Sequence, residues 1–423
     1  MNVNSIQDFL YIEDDVLKLE GLSLETIAEE HQTPFYLYSK STITENVVKL
    51  KRVSNKVRGD VKIFYAMKAL SHRTLLSILR SLGIGVEAVS PGELKKAFEA
   101  GFPPENIIYN GIGKTPSLLK ALAKTGYAGV NLDSEYEFHL ASELGLLNID
   151  GIGVRVNIEI RKRVLDTSSP TSKFGIEPER LYKLVKRYGV RKIGLHTHLG
   201  SQITEKKLLE LMLENLTKII ERLINGYGVE ISYVDVGGGI PKNYLWAPVK
   251  LDIKGIDDKL FKPSYSLEIY GRFIKALRKR LGNDIPIYLE PGRYIVADAG
   301  MLISKVVGYK ERLDGTRWIY LDTGFTHLLS GFLYKWYFPL INVSRIGDEH
   351  NTGYRVAGIL CDSDDIFHDY EGEKIGKPKL PLYRPLPQST SIGDILSFLH
   401  VGAYNYEEAS TYNSIEKPEV IFI

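Results

Sequence analysis

Eight short apolar segments, rich in β-branched residues, alternate with longer amphipathic stretches between residues 61 and 289. The first five segments begin 22 to 24 residues apart, the length of one strand and one helix. Eight parallel strands with their crossovers predict a closed (β/α)8 TIM-type barrel, because a doubly wound sheet of five or six strands leaves at least two segments unexplained. The predicted strands are Val61–Met67, Gly85–Ser90, Ile107–Gly111, Gly129–Leu132, Gly151–Asn157, Lys192–His198, Ile231–Val236 and Ile285–Leu289.

The helices between these strands have recognisable starts. Ser90-Pro91-Gly92-Glu93 offers an N-cap, a proline at the first helical position and the acid of a capping box. Thr115-Pro116 repeats the cap and the proline. Helical periodicity extends over Glu205–Asn225 and Ser264–Leu281.

After Arg293 the pattern changes to strands and turns, which predicts a mostly-β domain. The α/β chain is therefore divided into a barrel, residues 33–297, and a β-rich domain made of residues 1–32 and 298–423. A short strand near Val16–Leu19 is expected to join the sheet of that domain, because chain termini often lie close together. The C-terminal strands are predicted at Met301–Tyr309, Trp318–Leu321, Arg355–Cys361, Ile395–His400 and Val420–Ile423.

Composition excludes several classes of partner. The 423 residues are 44% hydrophobic and 25% charged, and the net charge of +2 offers no clustered basic surface for nucleic acid. No apolar run approaches the ~18–20 residues that span a bilayer, so no membrane association is expected. Residues 1–15 lack the features of a secretory signal. The single cysteine, Cys361, rules out an internal disulfide and fits a reducing cytoplasm.

Polar residues and glycines collect at the C-terminal ends of the predicted strands, where barrel active sites lie. Each has an ordinary alternative: a strand-end lysine usually extends into solvent, and three glycines form a tight turn as readily as a phosphate-binding loop. The pair His196 and His198 also matches zinc sites, although the sequence shows no further histidine or carboxylate set to complete one. The joint placement of all these strand-end residues at one mouth predicts an active site. Its members are Lys68, Glu87, Ser90, Arg155, Asn157, His196, His198, Ser201, Gly237–Gly239, Glu290 and Arg293.

These residues lie in segments that resemble the alanine-racemase-like barrel decarboxylases, the fold-type III enzymes that use pyridoxal 5'-phosphate, and among them the diaminopimelate decarboxylases. The likeness extends from about Thr33 to Asn413. The segments that carry it are Tyr65-Ala-Met-Lys68, Ser90-Pro-Gly-Glu93-Leu94, Gly111-Ile-Gly-Lys114-Thr115, Ser172-Lys-Phe-Gly-Ile176, His196-Thr-His-Leu-Gly-Ser-Gln202, Gly237-Gly-Gly239, Glu290-Pro-Gly-Arg293, Cys361-Asp-Ser363 and Gly402-Ala-Tyr404.

The resemblance implies pyridoxal 5'-phosphate as cofactor and no metal. It implies that the amine of Lys68 carries the cofactor, that Glu290 keeps the pyridine nitrogen protonated, and that His198 stacks on one ring face. The phosphate would be held by backbone donors and a guanidinium. The cofactor-binding residues implied are Lys68, His198, Ser201, Gly237, Gly238, Gly239, Glu290, Gly292, Arg293 and Tyr404.

The resemblance also implies a homodimer with shared active sites. A lone cysteine in an apolar strand is usually a small buried hydrophobe. Here Cys361, supplied across a dimer interface, would instead protonate the carbon that has lost carbon dioxide, which makes it catalytic together with Lys68 and His198. The substrate, a small amino acid, would be contacted by Arg155, Arg293, Tyr334, Asp362 and Tyr404.

Several positions depart from the diaminopimelate decarboxylases. That family usually carries Arg-Pro-x-x-Tyr where this chain has Ser330 to Tyr334, so the arginine that would clamp the distal carboxylate is a serine. Cys361-Asp362 has the form seen in ornithine decarboxylases. The other departures are Glu87 for an aspartate, Leu70 for an asparagine, and the segment from Glu159 to Pro170.

The predicted activity is the decarboxylation of meso-2,6-diaminopimelate to L-lysine, the last step of lysine biosynthesis. Because Ser330 replaces the arginine, the alternative is a decarboxylase for lysine, ornithine or an arginine-like amino acid. A catalytically silent regulatory relative would be expected to lack Lys68 or the phosphate contacts. A racemase would be expected to place an arginine where Glu290 stands, and a zinc hydrolase would need further ligands.

Overall fold

A computed structural model describes residues 4–158, 160, 172–256, 258–368 and 380–423. The divergent segment from Glu159 to Pro170 lies outside the described residues, apart from residue 160. None of the helices in these ranges has the length and apolar character that crossing a bilayer demands.

The secondary structure alternates between strands and helices over most of the chain. Within the described residues, the strands are β1 Leu10–Glu13, β2 Val16–Leu19, β3 Leu22–Ser23, β4 Phe35–Tyr38, β5 Val61–Ala66, β6 Gly85–Ala88, β7 Ile107–Tyr109, β8 Gly129–Leu132, β9 Ile152–Arg155, β10 Lys192–His196, β11 Glu230–Asp235, β12 Ile287–Leu289, β13 Gly300–Glu311, β14 Arg317–Leu321, β15 Leu340–Asn342, β16 Thr352–Ala357, β17 Arg384–Leu386, β18 Ile395–Phe398 and β19 Glu419–Phe422. The α-helices are α1 Leu24–Glu30, α2 Lys40–Ser54, α3 Arg73–Ser81, α4 Pro91–Glu99, α5 Pro116–Thr125, α6 Glu135–Glu143, α7 Pro178–Tyr188, α8 Lys206–Glu221, α9 Asp258–Phe261, α10 Leu267–Leu281, α11 Arg293–Val296, α12 Leu329–Tyr334 and α13 Asn405–Glu408.

Two compact units divide the chain. The first contains Val47–Pro241 and Ser264–Arg293, and the second contains the described residues up to Asn46 together with Lys242–Pro263 and Tyr294–Ile423. The predicted domain boundaries place the segment Lys242–Pro263 with the barrel, whereas in the structure it belongs to the second unit. Its Trp246 packs against the hydrophobic core of the second unit.

The first unit is a closed parallel barrel in which β5 to β12 follow one another and β12 pairs back with β5. All eight predicted strands are present, and the predicted (β/α)8 class is confirmed. The barrel interior is filled by side chains, among them Phe64, Ile108, Tyr233 and Tyr288. Because all eight strands are parallel, their C-terminal ends lie at one mouth of the barrel.

The predicted helix starts are also confirmed. The Ser90 hydroxyl accepts a hydrogen bond from the Glu93 N–H at 3.1 Å and caps α4. The Glu93 carboxylate turns back to the Val89 N–H at 2.7 Å, one residue before the position of an ordinary capping box. Thr115 caps α5 in the same way.

The second unit is mostly β, as predicted. Its main sheet has the order β15-β18-β13-β14-β16-β17, with β4 paired to β13 and β19 paired to β4. The expectation that Val16–Leu19 joins this sheet is wrong, because that strand pairs with β1 and β3 in a separate three-stranded sheet. Strand β4 supplies the N-terminal contribution instead, and its four residues are buried on both faces.

The predicted strand Arg355–Cys361 is shorter than expected. Strand β16 ends at Ala357, and Cys361 lies exposed in the loop that follows. A buried structural cysteine is therefore the wrong interpretation of this residue. The sequence signal failed because Gly358, Ile359 and Leu360 continue the apolar run beyond the last residue that pairs with a neighbouring strand.

Candidate active site

Lys68 lies just after strand β5, in a short 3-10 turn at the barrel mouth. Its Nζ is 3.0 Å from Oε2 of Glu87, a residue of β6 that is almost completely buried. Burial raises the pKa of the Glu87 carboxyl, and the nearby Lys68 charge opposes that rise. The lysine side chain is 42% exposed, but its amine is paired with a buried acid, which an ordinary strand-end lysine does not have.

Glu290 follows β12 and faces three polar groups from other strands. Its Oε1 accepts a hydrogen bond from the side-chain amide of Asn110. Its Oε2 is 3.4 Å from Nε2 of His196. A carboxyl oxygen of Asp235 joins this group, so that one ligand-type atom from each of His196, Asp235 and Glu290 lies within 4.8 Å of the others.

The two acids in this group differ in charge. Burial raises the pKa of the Glu290 carboxyl, but His196 and Lys68 outweigh burial and hold it below the usual range. The pKa of Asp235 is raised well above its usual value by burial and by the charge of Glu290. The arrangement therefore holds Glu290 as a carboxylate and Asp235 as a neutral acid, which suits Glu290 to face a protonated nitrogen.

Glycines shape the loop after β11. Gly237 and Gly239 have φ values of 64° and 87°, and a Cβ on Gly239 would lie 2.5 Å from the Gly200 carbonyl oxygen. Only glycine fits there. The Gly238 N–H donates to Nδ1 of His198 at 3.1 Å. Burial and the charges of Arg155 and Lys68 lower the pKa of His198 well below its usual value, so its imidazole is neutral.

Ser201 and Arg293 meet beside the glycine loop. The Arg293 Nε donates to the Ser201 hydroxyl at 3.0 Å. Gly292, just before Arg293, lies against the chain at Ala66 and Ala69, where a Cβ would come within 3.1 Å of both side chains. Guanidinium, hydroxyl and side-chain-free backbone are donors that suit a phosphate.

Arg155 ends strand β9 inside the mouth. Its Nη1 is 3.7 Å from Oδ1 of Asp133, and its guanidinium lies 4.3 Å from the ring centre of Phe174. Burial lowers the pKa of Arg155, and Asp133 opposes that fall. The segment of Ser172 to Ile176 is attached here, since the Ile176 N–H donates to the Arg155 carbonyl at 2.9 Å.

The predicted site residues Tyr334, Cys361, Asp362 and Tyr404 belong to the second unit. The Cys361 N–H donates to Oδ1 of Asn413 at 2.9 Å, and Oδ2 of Asp362 accepts from the Tyr412 hydroxyl at 3.2 Å. Asp365 holds the same loop, because its two carboxyl oxygens accept the N–H groups of Phe325 and Leu360 at 2.7 and 2.8 Å. Cys361 and Asp362 are thereby presented together on an ordered loop.

Ser330 lies on α12 and is buried. Its hydroxyl donates to Oε2 of Glu408 on α13 at 2.7 Å. Tyr334 ends α12 and is exposed. Tyr404 precedes α13 and has a φ of 73°, a backbone conformation that residues other than glycine rarely adopt. Such an outlier is common at functional sites.

The sequence profile described as "Pyridoxal-dependent decarboxylase, pyridoxal binding domain" matches residues 43–297, more than half of the chain. The chain belongs to this family. Its cofactor is accordingly pyridoxal 5'-phosphate, and it is a carboxy-lyase. The family match confirms the resemblance inferred from the strand-end motifs.

Individual relatives agree with this membership. The diaminopimelate decarboxylase of Methanothermobacter thermautotrophicus is 31% identical over 420 residues, which cover 96% of this chain and 90% of the relative. The crystal structure of M. jannaschii diaminopimelate decarboxylase with L-lysine has a TM-score of 0.80 and 26% identity, covering 100% of this chain and 94% of the other. The lysine/ornithine decarboxylase of Vibrio vulnificus with putrescine has the same fold, with a TM-score of 0.75 and 21% identity over 95% and 97% of the two chains.

The barrel mouth of this decarboxylase fits its cofactor. The glycine loop, Ser201 and Arg293 provide phosphate donors, Lys68 provides the amine, and the ionised Glu290 provides a partner for the pyridine nitrogen. The expectation that no carboxylates accompany the histidines is wrong, since Asp235 and Glu290 lie beside His196. Neighbouring strands β10, β11 and β12 bring them together, and the family's cofactor accounts for the ionised acid without a metal.

Asn110 and Asp235 were missed by the sequence analysis as site residues. Both stand at strand ends in the order that the barrel predicts, Asn110 after β7 and Asp235 at the end of β11. Their placement was therefore available from the sequence. What was not available is the contact with Glu290, which depends on how side chains from distant strands converge.

Proposed function

We propose that the protein decarboxylates meso-2,6-diaminopimelate to L-lysine. The observation that carries this proposal is the 31% identity to a diaminopimelate decarboxylase over 96% of the chain. The bond from the reacting α-carbon to its carboxylate breaks, carbon dioxide leaves, and a proton takes its place. Bound pyridoxal phosphate supplies the electron-withdrawing ring that makes this bond weak enough to break.

The residues of the barrel bind and orient the cofactor in this proposal. Lys68 supplies the amine that carries it, and His198 offers a neutral imidazole to one ring face. Glu290 keeps the pyridine nitrogen protonated through its ionised carboxylate. The phosphate is held by Ser201, Gly237, Gly238, Gly239, Gly292, Arg293 and Tyr404.

Cys361 supplies the proton in this proposal, from the partner subunit of a homodimer. Its loop is exposed and ordered by Asp365 and Asn413, as a residue that acts on a second subunit requires. Asp362, Tyr334 and Tyr404 contact the substrate with Arg155 and Arg293. We also place the enzyme in the cytoplasm, because its single cysteine fits a reducing compartment.

The pair of Ser330 and Glu408 favours a second candidate substrate. Where diaminopimelate decarboxylases usually carry an arginine, this chain has a serine that donates to a carboxylate. The carboxylate of this pair is no favourable partner for the distal carboxylate of a substrate, whereas it can accept a charge-assisted hydrogen bond from a distal amine. The alternative function is therefore the decarboxylation of lysine, ornithine or an arginine-like amino acid. The third candidate, a silent regulatory relative, is disfavoured because Lys68 is present and ion-paired with Glu87.

Carbon dioxide release by the purified protein tests these candidates. The protein is loaded with pyridoxal phosphate and offered meso-diaminopimelate, lysine, ornithine and arginine in parallel. We expect release from diaminopimelate alone. Lys68→Ala is expected to lose both the release and the visible absorbance of the bound cofactor. Lys62→Ala is the matched control, because Lys62 lies on strand β5 just before Lys68 and its amine is paired at the surface with Asp60.

The other outcomes identify the alternatives. Release from lysine, ornithine or arginine alone overturns diaminopimelate as substrate and makes Ser330 the deciding residue. A coloured protein that releases carbon dioxide from none of the four overturns the proposal in favour of the silent relative.

A further inference from the structure

A chain of buried side chains runs from the centre of the barrel to Glu290. The Tyr233 hydroxyl donates to Oδ1 of Asn131 at 2.7 Å, and the amide of Asn131 donates to Oδ1 of Asn110 at 2.8 Å. The amide of Asn110 in turn donates to Oε1 of Glu290. All four side chains are buried. Every hydrogen bond points the same way, so the chain ends on an acceptor, and that acceptor is the carboxylate.

The barrel makes room for the start of this chain with three glycines. Gly129, Gly153 and Gly194 stand on β8, β9 and β10. A Cβ on Gly153 would lie 2.2 Å from the Tyr233 hydroxyl, and one on Gly194 would lie 2.2 Å from its ring. Three neighbouring strands thus lack side chains where the Tyr233 ring lies, and the hydroxyl is held at a fixed place.

Asn131 is fixed from a second side. Its backbone carbonyl accepts a hydrogen bond from Nζ of Lys114 at 2.6 Å, and Lys114 is paired with Glu137 at 2.9 Å. Both of these charged residues are completely buried. A buried polar network with all of these bonds made is rigid, and loss of one donor leaves the acceptor without compensation.

We propose that Tyr233, Asn131 and Asn110 are positioning residues, which hold the Glu290 carboxylate in place and in its ionised form opposite the pyridine nitrogen of the cofactor. This inference rests on the role proposed above for Glu290. The three residues touch neither substrate nor cofactor in this account. They act through Glu290, since a carboxylate that accepts a directed hydrogen bond is stabilised relative to its neutral acid. A better stabilised carboxylate keeps the ring nitrogen protonated to higher pH.

The test uses holoenzyme loaded with cofactor labelled with ¹⁵N in the pyridine ring. The ¹⁵N chemical shift reports directly whether the ring nitrogen carries a proton, and it requires no turnover. Tyr233→Phe keeps the ring in its glycine slot and removes only the hydroxyl. We expect the ring nitrogen of this variant to lose its proton at lower pH than in the wild type. We also expect kcat to fall about 3- to 10-fold, the worth of one hydrogen bond, with little change in KM.

Two further variants keep the test decisive. Asn110→Ala removes the donor that contacts Glu290, and we expect it to lower the pH at which the ring nitrogen loses its proton by more than Tyr233→Phe does. This variant also tests the inference if Tyr233→Phe does not fold. Tyr288→Phe is the matched control, since the Tyr288 ring stacks on Tyr233 at 4.9 Å in the same aromatic layer. An unshifted titration in Asn110→Ala, or an equal shift in Tyr288→Phe, overturns the inference. If the wild type decarboxylates none of the four amino acids while the nitrogen titrates as expected, the proposed function fails and the positioning role stands.

Discussion

At the scale of single residues, the environment of a side chain decides its chemistry more than its identity does. Lys68 and Lys62 both belong to the same stretch of chain, yet Lys62 is paired at the surface and Lys68 is paired with the buried Glu87. Glu290 and Asp235 are neighbouring buried acids whose pKa values are shifted in opposite directions. Two like charges so close are costly, so one acid keeps the proton.

Glu408 offers a prediction at this scale. If the distal carboxylate of diaminopimelate lies near Ser330, the Glu408 carboxylate repels it. Glu408→Gln keeps an acceptor for the Ser330 hydroxyl and removes the negative charge. We expect the KM for diaminopimelate to fall about fivefold, since relief of a like-charge contact near a protein surface is worth on the order of 1 kcal/mol, and kcat to stay within twofold.

Steady-state kinetics with diaminopimelate and with lysine measure this effect. Glu407→Gln, on the same short helix α13, is the control for loss of a charge beside Glu408. A KM for diaminopimelate that rises in Glu408→Gln, or a KM for lysine that rises while that for diaminopimelate is unchanged, would contradict recognition of a distal carboxylate at this position.

At the scale of elements, the loop between β16 and residue 366 shows how one acid orders a functional segment. The carboxyl oxygens of Asp365 accept the N–H groups of Leu360 and Phe325, and its own carbonyl accepts the Gly358 N–H at 3.1 Å. Burial raises the pKa of Asp365 to about 6, against the partial opposition of those two N–H groups. The loop that presents Cys361 therefore contains a group that titrates near neutral pH.

Asp365 is predicted to make stability depend on pH. Its pKa is raised in the folded protein, so the folded state binds a proton between the unfolded value of about 4 and the folded value of about 6. Stability contributed by this group is greatest below about pH 4 and falls as pH rises through 6. Relative to Asp365→Asn, the wild type should gain about 1 kcal/mol in free energy of unfolding between pH 7 and pH 5.

Urea unfolding of wild type and Asp365→Asn at pH 5 and pH 7 measures this difference. The same comparison for Asp364→Asn, at the half-buried neighbouring residue of the loop, corrects for the general effect of losing a charge. A wild type that gains stability over Asp365→Asn as pH rises would contradict the assigned direction.

The elements also show which parts of the fold the sequence could predict. The eight barrel strands were found because each is a largely buried apolar run, and the first five begin at a regular spacing. Strands β15 and β17 were missed, since each has three residues and, unlike the equally short β7, neither belongs to the regularly spaced barrel strands. The partner of Val16–Leu19 was wrong because pairing depends on distant residues that periodicity does not reveal. For the same reason the strand-end motifs located the active site, but not the contact of Asn110 with Glu290.

At the scale of the whole molecule, the residues proposed for catalysis come from both compact units. Lys68, His198, Glu290 and Arg293 belong to the first unit. Cys361 belongs to the second. In the proposed homodimer each active site combines the first unit of one subunit with the Cys361 loop of the other. In such a dimer, the loss of Lys68 in one subunit and the loss of Cys361 in the other leave one site intact.

Mixed dimers test the shared site. Lys68→Ala and Cys361→Ala are each expected to be nearly inactive as homodimers. When they are co-expressed and exchange subunits at random, half of the dimers are mixed, and each mixed dimer contains one site with both wild-type residues. We expect about a quarter of wild-type activity, because one site in two works in half of the dimers. Differently tagged subunits allow the mixed dimer to be purified, and this species should show about half of wild-type activity. A purified mixed dimer as inactive as its parents would mean that Lys68 and Cys361 of the same subunit serve one site, and the division of each site between two subunits would then be wrong.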